Sequence, residues 1–204
     1  MGFYRTDLFR ELDSNYRYLG VLAYIYIKES SGAGEPQATL LNEIEIDDYN
    51  TENFLEAVAR RGWNDEGTEV ITTITFSVNG EPTNDHISVI EKESYEIEMR
   101  IEEGTGRVLV IVRRGSTGSE LFRKYYDVGM EEIHRIVSSA EAFYDSGITK
   151  LDTVNTIDRV YVEGQGYENT ADYVAKKWRT DNTEHTVIKE IGELSEELIT
   201  GYLE

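Results

Sequence analysis

An α+β fold, a mainly antiparallel β-sheet or sandwich flanked by two or three helices and closed by a helical C-terminus, follows from three observations on this 204-residue sequence. The stretch Ser94 to Gly115 alternates apolar and charged residues around a glycine turn. Several other stretches repeat that period of two, and the remainder carries apolar residues at helical spacing.

The hairpin is the most legible element. Tyr95, Ile97, Met99 and Ile101 alternate with Glu96, Glu98, Arg100 and Glu102, and β-branched residues resume after Gly104-Thr105-Gly106. If Glu103 faces Gly106, Ile101 pairs with Val108, Met99 with Val110 and Ile97 with Val112. Glu102 then meets Arg107 and Glu96 meets Arg113 on the other face. Leu109 and Ile111 on that outer face call for partial cover by a helix or a neighbouring chain.

From the N-terminus, Thr6 to Leu12 reads as a short helix with Leu8, Phe9 and Leu12 on its apolar side. Tyr16 to Lys28 reads as a strand, with Leu19, Val21, Ala23, Ile25 and Ile27 on one face and Tyr16, Tyr18, Leu22, Tyr24 and Tyr26 on the other. A tyrosine-rich second face is either covered within the monomer or docks a partner. Ser30 to Pro36, with Gly32 and Gly34, is a flexible hairpin tip, and Ala38 to Ile46 returns as a strand. Tyr16, Tyr18, Tyr24, Tyr26, Gly32 and Gly34 are therefore the candidate interaction residues.

Asn50 or Thr51 caps an expected helix to Arg61, with Phe54, Leu55, Val58 and Ala59 facing the sheet. Val70 to Val78 is a strand, Asn79-Gly80 a tight turn, and His86 to Glu91 the return strand, placed at an edge or starting late because of Pro82. Met130 to Tyr144 carries a helical stripe of Ile133, Ile136, Val137 and Ala140. Thr156 to Glu163 is a short strand. Helices are expected over about Thr170 to Trp178 and Thr186 to Leu203, the latter with Val187, Ile191, Leu194, Leu198 and Tyr202 in one stripe. These spans imply a β-rich core over 1–150 and a helical remainder over 151–204, packed as one unit.

Forty acidic residues against twenty basic ones give a net charge of −20, which argues against nucleic-acid or anionic-membrane partners. Lysine is scarce, with seven against thirteen arginines. An ordinary acidic protein, adaptation to high salt and mimicry of DNA all fit such a surface. The absence of cysteine excludes disulfides and thiolate chemistry. No signal-peptide pattern or apolar run of membrane-spanning length is present, so a cytoplasmic or virion location is expected.

No catalytic constellation is complete. Glu131-x-x-His134 has the spacing of a carboxylate-bridged metal site but lacks a second copy. Gly164-Gln165-Gly166 lacks the third glycine of a dinucleotide loop, and Gly115 to Ser119 lacks the lysine of a phosphate loop. The acidic run Glu43, Glu45, Asp47, Asp48 has oxygen ligands for a divalent cation without EF-hand spacing, and reads as a solvated strand end. With so many acids, paired carboxylates carry no signal by themselves. No catalytic, cofactor or metal residue is nominated. The expectation is a non-enzymatic structural or interaction protein, a homo-oligomer or member of a complex such as a tailed-virus tube, neck or connector subunit. The alternatives are a carboxylate- or metal-dependent hydrolase and an acidic DNA mimic.

Overall fold

Almost every element among the described residues is a β-strand; burial alternates with a period of two in some, Glu93–Glu102 most clearly, and covers both faces in others, Thr39–Asp48 among them. The computed structural model describes residues 2–31, 39–64, 67–144, 150–180 and 185–201. One antiparallel sheet runs from edge to edge as β13 (Val174–Thr180), β1 (Gly2–Leu12), β10 (Arg135–Tyr144), β3 (Thr39–Asp48), β4 (Asn53–Trp63), β5 (Val70–Val78) and β6 (Glu81–Ser88). The other runs as β14 (Thr186–Glu190), β15 (Ser195–Gly201), β11 (Lys150–Val162), β2 (Tyr18–Ser31), β7 (Glu93–Glu102), β8 (Arg107–Arg114) and β9 (Glu120–Asp127), and β12 (Gly166–Asn169) also pairs with β11. Strands from before and after position 150 interleave in both sheets.

The two sheets pack face to face into a β-sandwich. Ile25, Ile97, Met99, Val110 and Ile157 of one sheet meet Leu40, Ile44, Ile46, Leu55, Ile74 and Ile136 of the other in a continuous core. Towards the β14–β15 end the filling becomes polar. Arg10 of β1, 1% exposed, ion-pairs with Glu196 of β15, and Ser138 of β10 donates to the same carboxylate. Asn42 of β3 donates to the Leu198 carbonyl at 3.1 Å and to Thr153 Oγ1 at 3.1 Å, while Asn155 of β11 donates to the Glu43 carbonyl at 3.0 Å. These bonds fix β3 to the opposite sheet where apolar contact alone leaves the strand free to slide.

The expected helix-flanked α+β architecture is overturned. Among the described residues the only helical element is the 3-10 turn Thr170–Tyr173. Among the described residues, strands take most of the spans expected to be helical: β1 covers 6–12, β4 begins at Asn53 within 50–61, β10 at Arg135 within 130–144, β14 and β15 lie within 186–201, and β13 takes most of 170–178. The cause is burial on both faces. In β1, Leu8 and Leu12 point into the sandwich while Phe9 points out and stacks on Trp178 at 5.1 Å, so three apolar positions on two faces imitate one helical stripe. In β10, Ile136 and Ala140 face the core and Val137 the other side, with polar Ser138 among the inward positions. In β14 and β15 the assumed stripe divides between strands and a turn: Leu198 is core, but Ile191 is 57% exposed.

The hairpin β7–β8 has the expected register throughout, Ile101 opposite Val108, Met99 opposite Val110, Ile97 opposite Val112, Glu102 opposite Arg107 and Glu96 opposite Arg113. Asn79 and Gly80 take φ of 52° and 80°, the left-handed pair of a tight hairpin turn, and β6 with Pro82 is an edge strand.

Candidate active site

On β3, Leu40, Asn42, Ile44 and Ile46 face the core, which turns Leu41, Glu43, Glu45 and Asp47 to the outer face of the seven-stranded sheet. The register extends this alternation into cross-strand rows. Arg5, Glu141, Leu41, Arg60 and Thr73 stand in one row across β1, β10, β3, β4 and β5. Asp7, Ser139, Glu43, Val58 and Thr75 form the next, and Val137, Glu45, Glu56 and Ser77 the third. Glu43 and Glu141 are thus diagonal neighbours on adjacent central strands, with backbones about 7–8 Å apart.

These side chains face away from the core yet are buried, because they pack along the floor of a groove. Glu43 is 3% exposed and Glu141 5%. The groove has a volume of about 630 Å3; Glu43, Glu56, Glu141 and Arg5 line it, with Leu41, Val58, Thr75 and Ser77 between them. A polar cavity of about 280 Å3, bounded by Asn64, Thr73 and Asn84, shares Arg60, Thr75 and Thr83 with it.

Arg5 is held in place by its neighbours. Its Nε donates to Asp7 Oδ1 at 2.5 Å and one terminal nitrogen to Ser139 Oγ at 3.2 Å, while Ser139 Oγ donates to Asp7 Oδ1 at 2.6 Å. The guanidinium so fixed makes a charge contact with Glu141 Oε1 and lies 3.8 Å from Glu45 Oε2. At the far end of β3, Arg135 Nε donates to Asp47 Oδ2 at 2.6 Å. Glu43 Oε2 is buried without a hydrogen-bond partner.

Crowding acids in a buried site makes ionisation costly. Burial pushes Glu141 up to about 7, with Arg5 pulling the other way. Burial, reinforced by Glu56 and Asp47, pushes Glu45 up to about 8. Glu43 is raised well above the usual carboxylate range, by burial first and then by the charges of Glu141 and Glu56. An ionised Glu141 beside a protonated Glu43 places a proton acceptor and a proton donor side by side. Among the described residues no three His, Asp or Glu side chains are placed to hold a metal ion.

The residues expected to carry interactions lie elsewhere. Tyr24 and Tyr26 are half-buried on the outer face of the eight-stranded sheet, where Tyr24 donates to Glu96 Oε2 at 3.1 Å. Tyr18 is buried and Tyr16 exposed, both packing against Tyr173, so the four tyrosines do not form one face. Gly32 and Gly34 fall outside the described residues. Residues 131–134 precede β10 and are not helical, so Glu131 and His134 do not share a helix face; His134 instead contacts Asp48 and Glu132. The run Glu43, Glu45, Asp47, Asp48, expected as a solvated strand end, is buried. Its alternation on one strand is the sequence signal for the site, whereas the local patterns around Glu56 and Glu141 read as helix.

No known protein family and no curated protein matches the sequence. Among solved structures, the chain resembles scytalido-glutamic peptidase bound to a peptide-based transition-state analogue, with a TM-score of 0.61 and 12% identity over 98% of both chains. It also resembles SCP-B, a member of the eqolisin family of peptidases in complex with the tripeptide Ala-Ile-His, with a TM-score of 0.56 and 13% identity over 98% of both chains. The likeness is one of fold. It corrects the expectation of a non-enzymatic assembly or virion subunit, because over 98% of its length the chain has the fold of these two peptidases, and glutamates are buried on the outer face of one sheet.

Proposed function

We propose that the chain is a peptidase that hydrolyses peptide bonds with the glutamate pair Glu43 and Glu141. The observation that carries the reading is their placement: diagonal neighbours on central strands, lining one groove, in a fold shared over its full length with glutamic peptidases. The fold likeness is an analogy, and the chemistry rests on the site.

Ionised Glu141 takes a proton from a water molecule as its oxygen attacks the peptide carbonyl carbon. Glu43, still protonated, donates a hydrogen bond and then its proton to the carbonyl oxygen, which neutralises the charge that develops there. Collapse of the tetrahedral intermediate returns that proton to Glu43, breaks the C–N bond and passes the proton held by Glu141 to the leaving amine. Arg5 keeps Glu141 ionised at lower pH than burial alone permits, and Asp7 and Ser139 keep Arg5 aligned. The rate rises as Glu141 ionises near pH 7 and falls once Glu43 loses its proton.

Incubation with a natively unstructured protein between pH 4 and pH 9 tests the reading. Wild-type protein is expected to cut it into peptides, and Glu141→Gln, with the same circular dichroism, to leave it intact. An inactive wild type, or an equally active Glu141→Gln, contradicts the assignment.

A further inference from the structure

Arg60 differs from the other arginines of this face. Arg5 and Arg135 are held by carboxylates. Among the described residues the Arg60 guanidinium has no carboxylate partner, and its polar contact is the Trp63 carbonyl at 3.5 Å. In a chain with twice as many acids as bases, an uncommitted guanidinium half-buried in a groove is out of keeping with the charge balance. It stands where the groove meets the side cavity, beside Asn64, Thr73, Thr75, Thr83 and Asn84; Asp85 and His86 also line that cavity, and the Asp85 carboxylate accepts from Lys124 Nζ at 2.6 Å and the Tyr126 hydroxyl at 2.9 Å.

Arg60 and Glu141 both face Leu41, one from each side, so they lie two strand spacings apart in the same row. Two spacings are about 10 Å, or roughly three residues of extended peptide. Along the acids of β3 a substrate carboxylate finds no uncommitted cation, because Arg5 is engaged by Asp7 and Glu141. At Arg60 it meets a planar donor fork with the geometry to grip it.

We infer that Arg60 and the side cavity form a substrate subsite for a peptide carboxylate, an acidic side chain or a chain terminus, within about three residues of the cleaved bond. The inference rests on the peptidase reading for its position relative to the cleaved bond, and on Arg60 itself for its chemistry. Arg60 thereby sets specificity without taking part in bond cleavage.

The test uses internally quenched peptides at pH 7, where peptide carboxylates are ionised. Asp and Glu are scanned through the positions on both sides of the cleaved bond against Asn and Gln, and each peptide is made with a free and an amidated C-terminus. At one position the wild type should favour the carboxylate by about 10-fold or more in kcat/KM, with Arg60→Gln bringing that ratio close to one and Arg60→Lys retaining part of it. A preference for Asp or Glu identifies a side-chain carboxylate, and one confined to the free terminus identifies the chain end. A wild type that cleaves without any carboxylate preference, or a preference that survives Arg60→Gln, overturns the inference. Fluorescence anisotropy with the same peptides carrying a reduced, uncleavable bond separates the two readings. Arg60-dependent binding without cleavage contradicts the peptidase reading and keeps the subsite; absence of both contradicts both.

Discussion

Arg5 on β1 lies directly opposite Glu141 on β10, and its guanidinium contacts that carboxylate while Asp7 and Ser139 hold it from the other side. The charge offsets part of the desolvation that raises Glu141. Replacing Arg5 with Gln removes the offset, so the acid limb of the kcat/KM profile should move to higher pH, by on the order of one unit. A pH–rate profile of Arg5→Gln on any cleaved peptide measures this. A limb that stays in place shows that Arg5 does not tune Glu141.

Between the sheets, Arg10 and Glu196 form a buried pair, with Ser138 completing the carboxylate's contacts. Removing one partner leaves the other as an uncompensated buried charge, so Arg10→Met or Glu196→Leu alone should cost about 3–5 kcal/mol. The double variant Arg10→Met with Glu196→Leu should recover much of that loss, because both desolvation costs disappear together. Urea unfolding of the three variants gives the comparison, and losses that simply add contradict a coupled pair.

Raised carboxylates also set the pH dependence of stability. Unfolded glutamates ionise near pH 4.3, whereas Glu141 and Glu45 in the folded chain ionise near 7 and 8 and Glu43 well above the ordinary value. The folded chain therefore binds more protons across that window. Their contribution is fully present below about pH 4.3 and is lost as pH rises through the folded values. The melting temperature should fall by several degrees between pH 5 and pH 8, and less so in Glu43→Gln. A melting temperature that rises across this range contradicts the burial of these charges.

The β7–β8 hairpin was legible residue by residue because its inner face is wholly apolar and its outer face largely charged. The same rule failed at β1, β4, β10 and β15, where inward positions hold Arg10, Ser138, Glu196 and Thr200 and outward positions hold Phe9, Val58 and Val137. Binary patterning presumes that polarity reports exposure, and here ion pairs and carboxylates are buried on both faces of the sheet. Ala57, Ala59 and Glu56 in β4 also favour a helix locally, a preference that pairing with β3 and β5 overrides. The acidic site was invisible for a related reason. Forty acids allow countless pairs, and the register alone selects Glu43 and Glu141.

The two glutamates are assigned unequal roles, and that asymmetry offers the most direct measurement: pH profiles of kcat/KM for wild type, Glu43→Gln and Glu141→Gln. An amide at position 43 still donates a hydrogen bond to the carbonyl oxygen but cannot ionise. Glu43→Gln should therefore keep activity within about 10- to 1,000-fold of wild type and lose the alkaline limb of its profile. An amide at position 141 cannot accept the proton from water, so Glu141→Gln should show no cleavage at any pH. Retained activity in Glu141→Gln, or an alkaline limb unchanged in Glu43→Gln, contradicts a mechanism built on this pair.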